Sequence, residues 1–156
     1  MVRNMNYGTK MKDIRTENLY SQEFVAEKLH IKRSTYKEYE LQNSIIPITH
    51  LNEFCNYFNI SIDFILGLND VKKYKNTREK IDRKLSGKRL KELRKELNIT
   101  QKKLASILNT DISLPSKYEK GIYPIATAYV YDICKKYHIS ADYLLGKTDN
   151  PKYINS

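Results

Sequence analysis

Shifted against itself by 79 residues, the sequence aligns positions 8–70 with 87–149 without a gap, and 18 of the 63 pairs are identical. Chance agreement for a chain of this composition is about one in fifteen. The identities include Gly8/Gly87, Arg15/Arg94, Gln22/Gln101, Glu40/Glu119, Cys55/Cys134, Ser61/Ser140, Asp63/Asp142 and Gly67/Gly146. Two long copies mean tandem domains, because a solenoid needs three or more short units. The division falls into a first domain over 1–70, a linker over 71–86 and a second domain over 87–156.

Each copy carries helical periodicity. Leu51, Phe54, Cys55 and Phe58 recur at i, i+3, i+4 and i+7, and Val130, Ile133, Cys134 and Tyr137 repeat the pattern, so each set lines one helix face. The two cysteines therefore read as small core residues. Ser21 and Thr100 stand where a hydroxyl can cap a helix, as do Ser61 and Ser140. Gly67 and Gly146 can end the last short helix in the left-handed conformation. With only five Gly and four Pro, the chain is poor in the turn residues of an all-β fold. The expected class is all-α, with about five short helices per copy.

The formal charge is +10, from 28 Lys and Arg against 18 Asp and Glu, which suggests a polyanionic partner. Its distribution is uneven. Residues 1–70 hold eight basic and nine acidic side chains, the linker seven against two, and 87–156 thirteen against seven. Thirteen Tyr and four Phe exclude a disordered basic tail. In the linker, Asn76 with Glu79 resembles a helix start, and a solvated tether is the competing reading. No stretch approaches the roughly twenty apolar residues of a membrane span. The first ten residues lack the apolar core of a secretion signal. A cytoplasmic protein without membrane association is expected.

The ordered set Ile14-Arg15, Ser21-Gln22, Val25-Ala26, Leu29 and the run Lys32 to Glu40, followed by Pro47 and the closing Ile60 to Gly67, resembles the lambda repressor and Cro (XRE) type of helix-turn-helix domain. Copy two repeats it with Leu93-Arg94, Thr100-Gln101, Leu104-Ala105, Leu108, Tyr118-Glu119 and Ile139 to Gly146. The resemblance implies an all-α fold of two tandem five-helix helix-turn-helix domains joined by a basic linker. It also implies double-stranded DNA as partner.

In copy one, Arg33, Ser34 and Lys37 lie opposite the apolar Tyr36 and Tyr39 on the reading helix, a polar face that fits a major groove. By resemblance, Arg33, Ser34, Lys37 and Glu38 are base-facing. Gln22, Lys32, Thr35 and Asn43 take phosphate-facing positions. Copy two departs from the pattern: Asp111-Ile112-Ser113-Leu114-Pro115-Ser116-Lys117 replaces the basic run. Pro115 belongs in a first helical turn, so the third helix there should be short and capped by Ser113. Ile112, Ser113, Ser116 and Lys117 hold the base-facing register, with Asp111 repelling phosphate. Gln101, Lys102 and Lys103 make the phosphate clamp. The resemblance also assigns Arg15 with Glu40, and Arg94 with Glu119, as structural ion pairs.

The leading function is a sequence-specific regulator of the repressor type, with the first domain the better base reader. The linker, extended at roughly 3.3 Å per residue, would let the copies reach half-sites about 34 Å apart. The alternative is a protein-interaction module of antirepressor or antitoxin type, whose second domain serves homodimerisation or binds an effector protein. An enzyme has little support. His30, His50 and His138 lack metal-ligand spacing, and no glycine-rich phosphate loop occurs. No catalytic residue, metal or cofactor is assigned.

Overall fold

The computed structural model describes residues 5–154; the first four residues of the first copy and the last two of the second lie outside them. Among the described residues there are ten helices and no strand beyond one bridge between Ile139 and Tyr153. Copy one contributes α1 (Tyr7–Glu17), α2 (Gln22–Lys28), α3 (Arg33–Leu41), α4 (Ile48–Phe58) and α5 (Ile62–Ile65). Copy two contributes α6 (Arg83–Glu96), α7 (Gln101–Leu108), α8 (Leu114–Glu119), α9 (Thr127–Tyr137) and α10 (Ala141–Leu144). None is long and apolar enough to cross a membrane.

The helix starts follow the hydroxyls. Ser21 accepts from the Phe24 N–H and Thr100 from the Lys103 N–H, both at 3.0 Å. Ser61 and Ser140 do the same for Phe64 and Tyr143. Five left-handed residues recur at the 79-residue offset: Leu19/Asn98, His30/Asn109, Gln42/Gly121, Asn59/His138 and Gly67/Gly146. The backbone repeats more faithfully than the side chains do.

Gly8 shows why one identity recurs. A Cβ there would meet the Glu40 carbonyl oxygen at 2.1 Å, and one at Gly87 would meet the Tyr118 carbonyl oxygen at 2.4 Å. The first helix of each copy therefore crosses the end of the third at a distance only glycine permits.

Leu19 is the costly member of the left-handed set, with φ 63° and 92% exposure. L-residues resist that conformation, whereas asparagine, present at position 98, tolerates it. Leu19→Asn gives up no packing and is expected to stabilise the protein by about 0.5–1 kcal/mol. A thermal melt should show a midpoint raised by about 2–3 °C; an unchanged midpoint would disprove the strain.

The apolar core is continuous across the copies, from Tyr7, Met11, Leu51 and Phe54 to Val130, Ile133, Leu144 and Leu145. Cys55 and Cys134 are buried within it as free thiols, and burial pushes both thiols well above their ordinary pKa.

The linker differs from both sequence readings. No helix starts at Asn76; α6 starts at Arg83, where the Asp82 carboxylate accepts from the Leu85 N–H at 3.0 Å. Residues 71–82 are not a solvated tether either. The Lys72 carbonyl accepts from the Ser61 N–H at 2.6 Å, and Tyr74 is buried. The Glu79 carbonyl accepts from the Asn52 and Asn56 amides. Further along, the Arg78 and Asp82 N–H groups donate to the Lys147 and Leu145 carbonyls. The segment is a strap laid over both copies, because its backbone groups find partners in each.

Candidate nucleic-acid interface

In each copy one ion pair ties the first helix to the third. Arg15 Nε and Nη2 bond the two Glu40 oxygens at 2.7 and 3.0 Å, while Nη1 donates to the Tyr20 carbonyl at 2.9 Å. Arg94 repeats this with Glu119 at 2.8 and 3.0 Å and with the Ile99 carbonyl at 3.0 Å. Both carboxylates are almost fully buried. Burial alone would raise the Glu40 carboxyl, but the hydrogen bonds from Arg15 and Gln22 and the Arg15 charge hold it below its ordinary value.

The glutamines face differently from the phosphate-facing expectation. Gln22 Nε2 donates to Glu40 at 3.0 Å and Gln101 Nε2 to Glu119 at 3.2 Å. A half-buried amide beside a buried carboxylate with a free lone pair turns inward, since that acceptor is charged. These side chains buttress the ion pair.

With α3 anchored, its two faces separate. Tyr36, Tyr39 and Glu40 are buried; Arg33, Ser34 and Lys37 are exposed, with Thr35 and Glu38 half-buried. Lys32 precedes the helix and Asn43 follows it, both exposed. The cationic and hydroxylic groups therefore share the solvent-facing side of one helix.

The equivalent surface in copy two is built otherwise. Helix α8 begins at Leu114, two positions later than α3 in the aligned register, with Pro115 buried in its first turn. Ser113 occupies the cap position, yet its side chain does not cap. Its N–H and Oγ–H both donate to Asp111 Oδ1, at 2.8 and 2.5 Å. These bonds hold the Asp111 carboxyl below its ordinary value. Pro115 supplies no N–H, so the local turn is closed by the aspartate instead. Ile112 is 57% exposed, Ser116 is half-buried, and the Lys117 ammonium lies 5.9 Å from the Tyr123 ring centroid. Lys102 and Lys103 are exposed at the start of α7.

The two surfaces are held together by a pair of crossed caps. Asp142 accepts from the Ile62 and Asp63 N–H groups at 3.1 and 2.8 Å, at the start of α5. Asp63 accepts from the Ala141 N–H at 2.6 Å, the Ser140 hydroxyl at 2.5 Å and the Tyr74 hydroxyl at 2.7 Å, at the start of α10. Each copy thus satisfies orphan donors of the other's short closing helix. The Thr127 hydroxyl adds a 2.6 Å bond to the Ile46 carbonyl, and Lys147 Nζ donates to Asn56 at 3.0 Å. The sequence marks Asp63 and Asp142 only as an identical pair, because an acid in a first helical turn is ordinary for its own helix. The strap replaces the long extended tether expected between half-sites.

Burial and the nearby Asp63 charge push the Asp142 carboxyl up to about 7, against the lowering influence of its backbone bonds and Lys147. The native state then keeps a proton that the unfolded chain, with its aspartate near 3.8, has released. Stability is expected to fall as pH rises from about 4 to about 7. Urea titrations across that window should show the decline, and Asp142→Asn should remove that group's part of it. An equal slope in both proteins would contradict the assignment.

Comparison with known proteins places both copies. Residues 11–65 match a helix-turn-helix family model, and residues 87–150 match a second one, described as a helix-turn-helix domain. The HTH-type transcriptional regulator ImmR of Bacillus subtilis is 39% identical over 66 residues, which is 42% of this chain and 52% of ImmR. The uncharacterized HTH-type transcriptional regulator YobD of the same organism is 31% identical over 64 residues, 41% of this chain and 57% of YobD. The chain spans about half the length of these curated relatives. No solved structure matches it significantly.

Proposed function

The chain belongs to the helix-turn-helix proteins of lambda repressor and Cro (XRE) type, with two such domains in tandem, and on that footing we propose a sequence-specific double-stranded DNA-binding transcriptional regulator, a cytoplasmic repressor. The observation that carries this reading is the division of α3, with Tyr36, Tyr39 and Glu40 buried and Arg33, Ser34 and Lys37 exposed. Arg33 can bond a guanine edge through two donors, and Ser34 and Lys37 extend the same face. Residues 1–70 form the principal reader. In residues 87–156, Lys102 and Lys103, together with the basic strap, supply contacts to the phosphate backbone that do not depend on sequence.

Fluorescence titration of the full chain with labelled duplexes tests this. Affinity should fall with salt at a logarithmic slope of about −0.9 per neutralised phosphate. Arg33→Ala should relax sequence preference and cost about 1–3 kcal/mol on the preferred site, whereas Lys102→Ala should weaken all sequences alike. Equal losses on every sequence for both variants would remove the assigned roles.

One observation favours a protein-interaction module: Ile112, Ile122 and Tyr123 form exposed apolar surface around α8. On that reading copy two binds a second chain or an effector protein. Binding to no duplex below micromolar at low salt would select it.

A further inference from the structure

A two-fold symmetric reader selects an inverted repeat because identical side chains face both halves. Here two similar backbones are joined in one chain, but the reading side chains are not the same. We propose that one chain, without a second copy, occupies a bipartite and non-palindromic duplex, with a guanine-bearing half under α3 and an A·T-rich half under α8. The proposal rests on the DNA-binding reading above.

The first support is the fixed relation of the two readers. The crossed caps of Asp63 and Asp142 are buried, at 0% and 2% exposure. The loops that directly follow α3 and α8 line a single cleft of about 450 Å³, through Ile45, Pro47, Pro124 and Ala126. The Thr127–Ile46 bond closes its floor. The segments that follow the two helices therefore meet at one cleft, held by buried contacts rather than by a flexible connection. The closing helices α5 and α10 already pack on each other within the one chain.

The second support is chemical. At the four base-facing positions the copies carry Arg33/Ile112, Ser34/Ser113, Lys37/Ser116 and Glu38/Lys117. Only the serine recurs, and in copy two its hydroxyl is committed to Asp111. Where Arg33 presents a guanidinium fork suited to guanine O6 and N7, Ile112 presents exposed methyl groups suited to the C5-methyl of thymine. The flanking helices reverse the charge order. Helix α2 begins Gln22-Glu23-Phe24 and α7 begins Gln101-Lys102-Lys103. The half beside α8 is thus gripped by lysines and read by apolar contact from Ile112, in the turn before that helix, and the half under α3 is read by polar contact.

Selection from a random 30-base-pair duplex library with the full chain tests this, followed by native mass spectrometry of the complex with the enriched duplex. The expected result is two different half motifs and one 18.4 kDa chain per duplex. An inverted repeat of the guanine-bearing half should bind about tenfold more weakly than the enriched site. Arg33→Ala should relax only the first half. Ile112→Arg, an exposed change that leaves the core untouched, should bring guanine into the second half. Enrichment of an inverted repeat with two chains bound overturns the proposal, and so does a second half that remains random. A chain that enriches nothing and shows no salt-dependent binding overturns the DNA reading and the proposal together, which separates that failure from the other two.

Discussion

Asp63→Ala is expected to cost about 3–5 kcal/mol of folding free energy, because it strands the buried Ala141 N–H and leaves the Ser140 and Tyr74 hydroxyls to find other acceptors. Few single changes exceed that range. Loss of this carboxylate opens the start of α10, the foot of the strap and the junction of the copies at once. Urea unfolding followed by tyrosine fluorescence reads it directly, since the chain has thirteen Tyr and no Trp. The exposed Asp70→Ala serves as comparison, with a change within about 0.5 kcal/mol. A loss below about 1 kcal/mol for Asp63→Ala would show that the junction of the copies does not depend on this carboxylate.

Arg15→Ala should be comparably severe, at about 3–5 kcal/mol, because it leaves Glu40 buried with Gln22 as its remaining side-chain hydrogen-bond partner and frees the Tyr20 carbonyl. Helix α3, the proposed reader, is positioned through this bond, so duplex affinity should fall in parallel with stability. Replacing both partners by methionine should recover most of the loss in a double-mutant cycle, since the penalty arises from the unpaired charge. A single substitution costing under about 1 kcal/mol would mean that solvent reaches Glu40. The lowered Glu40 pKa adds a sign: this contribution is present above the ordinary carboxylate value and is lost as pH falls below it and through the depressed native value.

Much of the local structure is legible because its causes are local. The hydroxyls of Ser21, Thr100, Ser61 and Ser140 cap the helices that they precede. The i, i+3, i+4, i+7 sets of α4 and α9 bury their apolar faces. Pro115 shortens α8 from its first turn. The misreadings involve residues with two plausible partners. Gln22 at a helix start suits a phosphate until Glu40, eighteen positions away, comes within 3.0 Å. Ser113 suits a helix cap, but its backbone is already helical and its hydroxyl turns back to Asp111 instead. The stretch around Asn76 offers charge and a capping pattern, but the Tyr74–Asp63 bond and the carbonyls at Lys147 and Leu145 hold it as a strap.

By itself, the sequence with its repeat at 79 residues determined that this chain is two domains of one kind, all-α, and that the surfaces proposed to read DNA differ in chemistry. Those properties reside in composition, periodicity and turn chemistry, which act over a few residues. Only the tertiary structure decided that the domains are locked into one body. The groups responsible, Asp63 against α10 and Asp142 against α5, lie nearly eighty positions from the donors they satisfy. A carboxylate in a first helical turn suits its own helix dipole and a neighbour's orphan N–H equally well, so the choice between them is made by packing.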